Sequence, residues 1–119
     1  MKAIVCKKYG SPDVLQLGEV ARPTPKDDEA QIKVHAASVN AADFETLRGV
    51  FVIRIVSPLK PMYKIPGSDV AGRVEVVGRS VTKFSPGDEV WGDLSECGFG
   101  TFAEYVCIPE NALRLKPAK

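Results

Sequence analysis

The chain has 119 residues, 45% hydrophobic and 26% charged, with a formal net charge of +1. This is the size and composition of one globular domain with a real core, and the balanced charge gives no electrostatic case for nucleic acid or an anionic membrane as partner. No apolar run nears the roughly 20 residues that span a bilayer. Lys7 and Lys8 interrupt the opening MKAIVCKKYG too early for a signal-peptide core, so the reading is a cytoplasmic chain that starts directly on a strand.

Residues 2–8 alternate as a strand, with Ile4 and Cys6 on one face and Ala3 and Val5 on the other. Tyr9-Gly10-Ser11-Pro12 is a turn, and residues 14–20 alternate again, so the two strands read as a hairpin. Residues 22–28, RPTPKDD, are a proline-rich connection that cannot be a central strand. Residues 29–39 form the next strand, with Ile32, Val34 and Ala36 facing one way and Lys33 and His35 the other.

Asn40 ends that pattern. Residues 41–48 carry helix formers, with Asn40 as N-cap, Asp43 in the first turn and Gly49 as the closing residue. Phe44 and Leu47 share the inward face of this short helix. Residues 50–56 suit a strand or a continuing helix, and the three prolines of residues 57–66 make a loop of the kind that often lines a site.

Residues 66–78, PGSDVAGRVEVVG, hold the most pointed signal. Gly67 and Gly72 suit a sharp turn and a close backbone approach. Val70, Val74 and Val76 fall on one strand face, Arg73 and Glu75 on the other. Ser68 and Asp69 either mark a chemical site or decorate a β-bend. Ser85-Pro86-Gly87-Asp88 is a β-turn, and residues 89–92 are a short strand whose Trp91 reads as core. Residues 93–100 are a loop, residues 101–108 alternate as a strand, and residues 113–116 are the last one.

About eight short strands with Gly/Pro turns every 8–12 residues point to an antiparallel β-barrel or sandwich. No strand–GxGxxG–helix pattern is present to hold a dinucleotide. Cys6, Cys97 and Cys107 are odd in number and widely spaced, which excludes a four-cysteine zinc site and argues against a disulfide framework. Cys6 and Cys107 read as small apolar strand residues, and Cys97, in a loop, as the oxidisable one.

Six segments recur in order: MKAIV; YGSPDVL from Tyr9; VHAASVN from Val34; PGSDVAG from Pro66; PGDEV from Pro86; and GTFAEY from Gly100. Together they resemble the N-terminal GroES-like domain of the medium-chain dehydrogenase/reductase superfamily, and are most similar to its zinc-free quinone oxidoreductase branch. The resemblance covers nearly the whole chain. It implies a mainly β fold, a partly open GroES-like barrel with one or two short helices. It also implies that residues 1–119 are the substrate domain of a two-domain enzyme whose Rossmann domain, which binds NADPH, is absent here.

The implied reaction is hydride transfer from NADPH to a quinone or an α,β-unsaturated carbonyl, with this chain inactive alone and binding NADPH at best weakly. Zinc-dependent members place cysteine where this chain has Asn40 and His-Glu where it has Ser68-Asp69. Neutral amide and hydroxyl groups are poor zinc donors, so no metal is expected, and no catalytic residue is assigned. His35 reads as a surface or barrel-face histidine, not a ligand. The resemblance puts Asn40 near the nicotinamide or substrate, a role compatible with its N-cap position. Asp43 is either a helix-end charge or an acceptor in the cleft; Phe44, Tyr63, Ser68 and Asp69 complete the substrate-binding set. Phe51 and Met62 belong with Tyr63 to the same candidate mouth or, equally, to the core. Relatives often carry a tyrosine on the helix after the asparagine; Phe44 and Glu45 stand there, which leaves room for an enone reductase. The rival reading is a stand-alone GroES-like barrel that binds a partner and could form a homodimer through an exposed apolar surface.

Overall fold

A computed structural model describes residues 1–40, 65–94 and 100–117. The expected helix over 41–48, the ambiguous stretch 50–64 and Cys97 lie outside the described residues.

Strands β1 (Lys2–Cys6) and β2 (Leu15–Glu19) form the expected antiparallel hairpin. A 3-10 turn, Pro12–Val14, leads into β2. The second sheet contains β3 (Glu29–Ser38), β4 (Asp69–Val77), β5 (Glu89–Asp93), β6 (Tyr105–Pro109) and β7 (Leu113–Leu115). Its order is β6-β3-β4-β5-β7, antiparallel throughout. Residues 102–104 tie the hairpin to it: Ile4 N–H donates to Phe102 O at 2.8 Å and Glu104 N–H to Lys2 O at 3.1 Å. The fold is mainly β, as the pattern predicts, and both sheets stay open among the described residues. Ser85–Asp88 closes as a turn, with Asp88 N–H on Ser85 O at 3.1 Å and Ser85 N–H on the Asp88 carboxylate at 2.9 Å.

The core lies on one face of the five-stranded sheet. Ile32, Val74, Val90, Ile108 and Leu113, one from each strand, are fully buried there, and Phe84 and Leu94 join them from the connections. Gly72 sets how closely β3 and β4 approach. A Cβ on it would run into the Lys33 carbonyl and come within 2.9 Å of Ile32 Cγ2.

Two irregularities in this ladder decide which side chains face out. Ile32 pairs with Val74 but Gln31 with Val76, so Glu75 is an extra residue; Val34 pairs with Gly72 but Ala36 with Ala71, so His35 is another. An extra residue reverses the face of everything beyond it. Val76, expected inside with Val70 and Val74, is therefore 46% exposed, and Val77 takes the inward place. Ala36 likewise turns outward, away from Val34, and His35 is exposed in its bulge. Trp91, expected in the core, is 48% exposed, because Val90 and Gly92 hold the inward parity of β5.

The proline-rich connection straps one end of the outer face. Gln31 is buried there, accepting from Arg22 Nη2 at 2.7 Å and donating to Pro23 O at 2.8 Å. The Arg22 guanidinium lies 3.6 Å from the centre of the Tyr105 ring. Cys107 pairs with Gln31 in the same corner. Burial, helped by the nearby Glu29 charge and opposed by Arg22, pushes the Cys107 thiol up from 9.0 to about 11.

Two outcomes follow for stability. Ile32→Ala removes a fully buried side chain and is expected to cost about 2–5 kcal/mol, whereas Val76→Thr should stay within about 0.5 kcal/mol; urea denaturation checks both. The raised Cys107 value means the folded chain holds this proton more tightly than the unfolded one. Its stabilising share is complete below pH 9 and is lost as pH rises through about 11. Cys107→Val should flatten the fall of the denaturation midpoint across that alkaline window.

Candidate functional site

The outer face carries ordered cross-strand rows. Paired residues in an antiparallel ladder share a face. One row is Ala36, Ala71, Trp91 and Arg114; the next is Ser38, Asp69 and Asp93. The first row is small and apolar apart from its indole and guanidinium, and the second is polar.

Asn40 follows the end of β3 and folds back onto the polar row. Its Nδ2 donates to Asp69 Oδ2 at 2.6 Å and makes longer contacts to Ser68 Oγ at 3.4 Å and Ser38 Oγ at 3.5 Å. Ser38 donates its hydroxyl to the same Asp69 oxygen at 2.9 Å. A carboxylate only accepts, so Asp69 requires the amide to present its nitrogen. Two donors on one oxygen fix the carboxylate and spread its charge.

Ser68 lies beneath this row and is buried. Its carbonyl accepts from Leu94 N–H at 2.7 Å. The turn that delivers it depends on Gly67, at φ +104°, where a Cβ would strike the Thr101 hydroxyl and the Phe102 ring. Thr101 N–H and Phe102 N–H in turn bond the Gly67 and Pro66 carbonyls at 3.3 and 3.1 Å.

Of the residues singled out from sequence, the structure brings Asn40, Ser68 and Asp69 together. Asp43, Phe44, Phe51, Met62 and Tyr63 lie outside the described residues. No described hydrogen bond or ion pair ties His35 to the group. Ser38 went unnoticed in the sequence, although it stands directly across the ladder from Asp69; strand pairing, not spacing, is the signal that finds it. Trp91 and Asp93 were missed as site residues for the same reason.

An open groove of about 500 Å³ lies over these rows, lined by Ala36, Ala37, Ser38, Asp69, Val70, Ala71, Trp91, Gly92 and Asp93. It offers a small apolar floor, one aromatic side and an end rich in hydroxyl and carboxylate groups. Amide and hydroxyl donors held by a carboxylate suit the recognition of a carbonyl oxygen. They suit a metal ion poorly, and among the described residues no three His, Cys, Asp or Glu side chains gather as ligands. No described helix is long and apolar enough to cross a membrane.

Comparison with known proteins agrees with the sequence resemblance. The family model for the alcohol dehydrogenase GroES-like domain matches residues 26–118. The chain is 41% identical over 124 aligned positions to 2-methylene-furan-3-one reductase of Solanum lycopersicum, covering 98% of this chain and 31% of that protein. It is 40% identical over 124 positions to the chloroplastic NADPH-dependent alkenal/one oxidoreductase of Arabidopsis thaliana, covering 98% of this chain and 31% of that one. Among solved structures, the quinone oxidoreductase from Coxiella burnetii superposes with a TM-score of 0.87 at 33% identity, over 99% of this chain and 37% of its own. The chain thus spans about a third of the length of these relatives.

The Asn40–Asp69 bond has a measurable worth. In a double-mutant cycle of Asn40→Ala and Asp69→Ala, read by urea denaturation, a coupling of about 1–2 kcal/mol is expected for a charge-assisted bond at a half-open site. Ser38→Ala paired with Asp69→Ala should couple more weakly, by about 0.5–1 kcal/mol.

Proposed function

The chain belongs to the alcohol dehydrogenase GroES-like domain family of the medium-chain dehydrogenase/reductase superfamily, and from that membership we propose that residues 1–119 are the substrate-binding domain of a zinc-independent, NADPH-dependent oxidoreductase. The reaction is reduction of a quinone or an α,β-unsaturated carbonyl. One observation carries the reading: an amide and a hydroxyl both donating to one carboxylate oxygen, with a second hydroxyl against the amide, beside an apolar groove.

A nicotinamide cofactor supplies hydride when bound. The described residues offer no glycine-rich strand–helix cradle for its phosphates, so this chain's share is the acceptor's carbonyl. In this reading Asp69 holds the Asn40 amide in place through the 2.6 Å bond. A substrate oxygen then replaces one of the long hydroxyl contacts of that amide, at 3.4 and 3.5 Å. Negative charge that builds on the oxygen during reduction meets an Asn40 N–H already oriented for it. The apolar floor shields one side of the reacting carbon from water. Asp69 acts as a positioning residue rather than an acid, since its Oδ2 is engaged by two donors. Asp43, Phe44 and Tyr63 complete the mouth of the site in this proposal. A cytoplasmic location belongs to the proposal as well; the Arabidopsis relative is named as chloroplastic.

The rival reading, a partner-binding barrel without enzymatic activity, separates in one assay. NADPH oxidation with p-benzoquinone or acrolein is measured on this chain alone and on the chain joined to the nicotinamide-binding part of a relative. No turnover alone and clear turnover when joined is the expected pair. Asn40→Ala in the joined form should then lower kcat by about 10- to 100-fold, on the scale of a lost oxyanion donor. Turnover by the chain alone overturns the half-enzyme reading, and silence in the joined form overturns the enzymatic one. Metal analysis of protein prepared without chelator should find no stoichiometric zinc; one zinc per chain refutes zinc independence.

A further inference from the structure

We propose that Trp91 is the stacking wall of the groove, and that it makes the site select an uncharged, flat, conjugated ring over a small acyclic acceptor. The inference rests on the oxidoreductase reading for the chemistry, but its structural argument is separate.

Trp91 leaves 48% of its surface exposed on a strand whose other apolar residue, Val90, is wholly buried. An indole is among the largest apolar surfaces a chain can bury, and parity alone explains only which way it points. Its cross-strand neighbours leave it uncovered. Ala71, on one side, reaches no further than a methyl, and Ala36 continues the same row. Arg114, on the other side, donates to Asn111 O at 3.1 Å and Leu113 O at 2.8 Å. Among the described residues the cation–π contact is Arg22 on Tyr105, not Arg114 on Trp91.

The result is a floor of two small side chains beside the indole, all three lining the groove. The polar row of Ser38 and Asp69 begins one row further on, two residues along each strand, roughly 6.5–7 Å away. A ring lying on the alanine floor beside Trp91 therefore places an exocyclic carbonyl oxygen near the Asn40 amide that Asp69 holds. An acyclic enone reaches the same amide without covering the indole. Among the described residues the groove lining contains two carboxylates, Asp69 and Asp93, and no lysine, arginine or histidine, which disfavours an anionic ring.

Trp91 is the only tryptophan in the chain, so its emission reports directly on occupancy. A neutral naphthoquinone should quench it saturably, and a naphthoquinone sulfonate much more weakly. By calorimetry on the same chain, Trp91→Leu should weaken naphthoquinone binding about tenfold, in line with the worth of an aromatic stacking pair. Trp91→Phe should retain most of the affinity. Ala71→Leu, which fills the floor and leaves the indole in place, should abolish binding while circular dichroism shows the fold retained. In the joined, NADPH-oxidising form, Trp91→Leu should raise KM for naphthoquinone about tenfold more than KM for acrolein. Non-saturable quenching, tighter binding of the sulfonate or of a quaternary ammonium probe, or equal KM changes for both acceptors overturns the inference. Saturable naphthoquinone binding without turnover in the joined form instead sinks the redox reading and leaves the groove assignment standing.

Discussion

The close approach of β3 and β4 at Gly72 is the constraint on which the rest of the sheet depends. With no Cβ there, the Lys33 carbonyl and the Ile32 side chain can lie against the β4 backbone. The ladder continues on either side of this point only by accommodating an extra residue, His35 on β3 and Glu75 on β4. Bulges bend and twist a strand locally. Here they also choose the outward-facing set at each end. Beyond His35 the outward set is Ala36 and Ser38, opposite Ala71 and Asp69. Beyond Glu75 it is Gln31 and Val76. Losing the extra residue at His35 would turn Ala36 and Ser38 toward the core.

The two ends of the outer face then have different fates. At the Gln31 end the proline-rich connection closes over the sheet. Arg22 meets both the Gln31 carbonyl oxygen and the Tyr105 ring, and the buried glutamine finds partners for its acceptor and its donor. A buried amide left unpartnered would cost about 1–3 kcal/mol, so this satisfaction is what permits a polar residue under the strap. At the Asp69 end the polar groups satisfy one another instead, through Ser38 and Asn40, and a groove remains above them.

Much of this was legible from sequence where the cause is local. The hairpin, the Ser85–Asp88 turn and the positions of β3, β4, β5 and β7 follow from alternation and from Gly and Pro placement, whereas β6 begins at Tyr105 and not at the expected Thr101. Asn40, Ser68 and Asp69 were found through motif resemblance, which carries register information that spacing lacks. Val76, Trp91 and Ala36 were misread or unread for a single reason. Period-two reasoning assumes an uninterrupted strand of known inward phase. One extra residue reverses the phase, and the cost of the reversal is decided by a partner strand some 40 residues away. Ser38 was invisible for the same non-local reason: its significance is that Asp69 stands opposite it, 31 positions along the chain.

The arrangement at Asp69 differs in kind from a set of metal ligands. A metal site needs donors whose lone pairs converge on an empty point. Here the lone pairs of one carboxylate oxygen are met by an N–H and an O–H, so the convergence is of protons onto an anion rather than of anions onto a cation. Such a cluster satisfies itself without a ligand and leaves the Asn40 amide with only long further contacts, at 3.4 and 3.5 Å. It can lend a donor to a carbonyl oxygen without leaving Asp69 unsatisfied, since the carboxylate keeps its second donor while the first is shared. That spare capacity arises from register and donor count before any cofactor is considered.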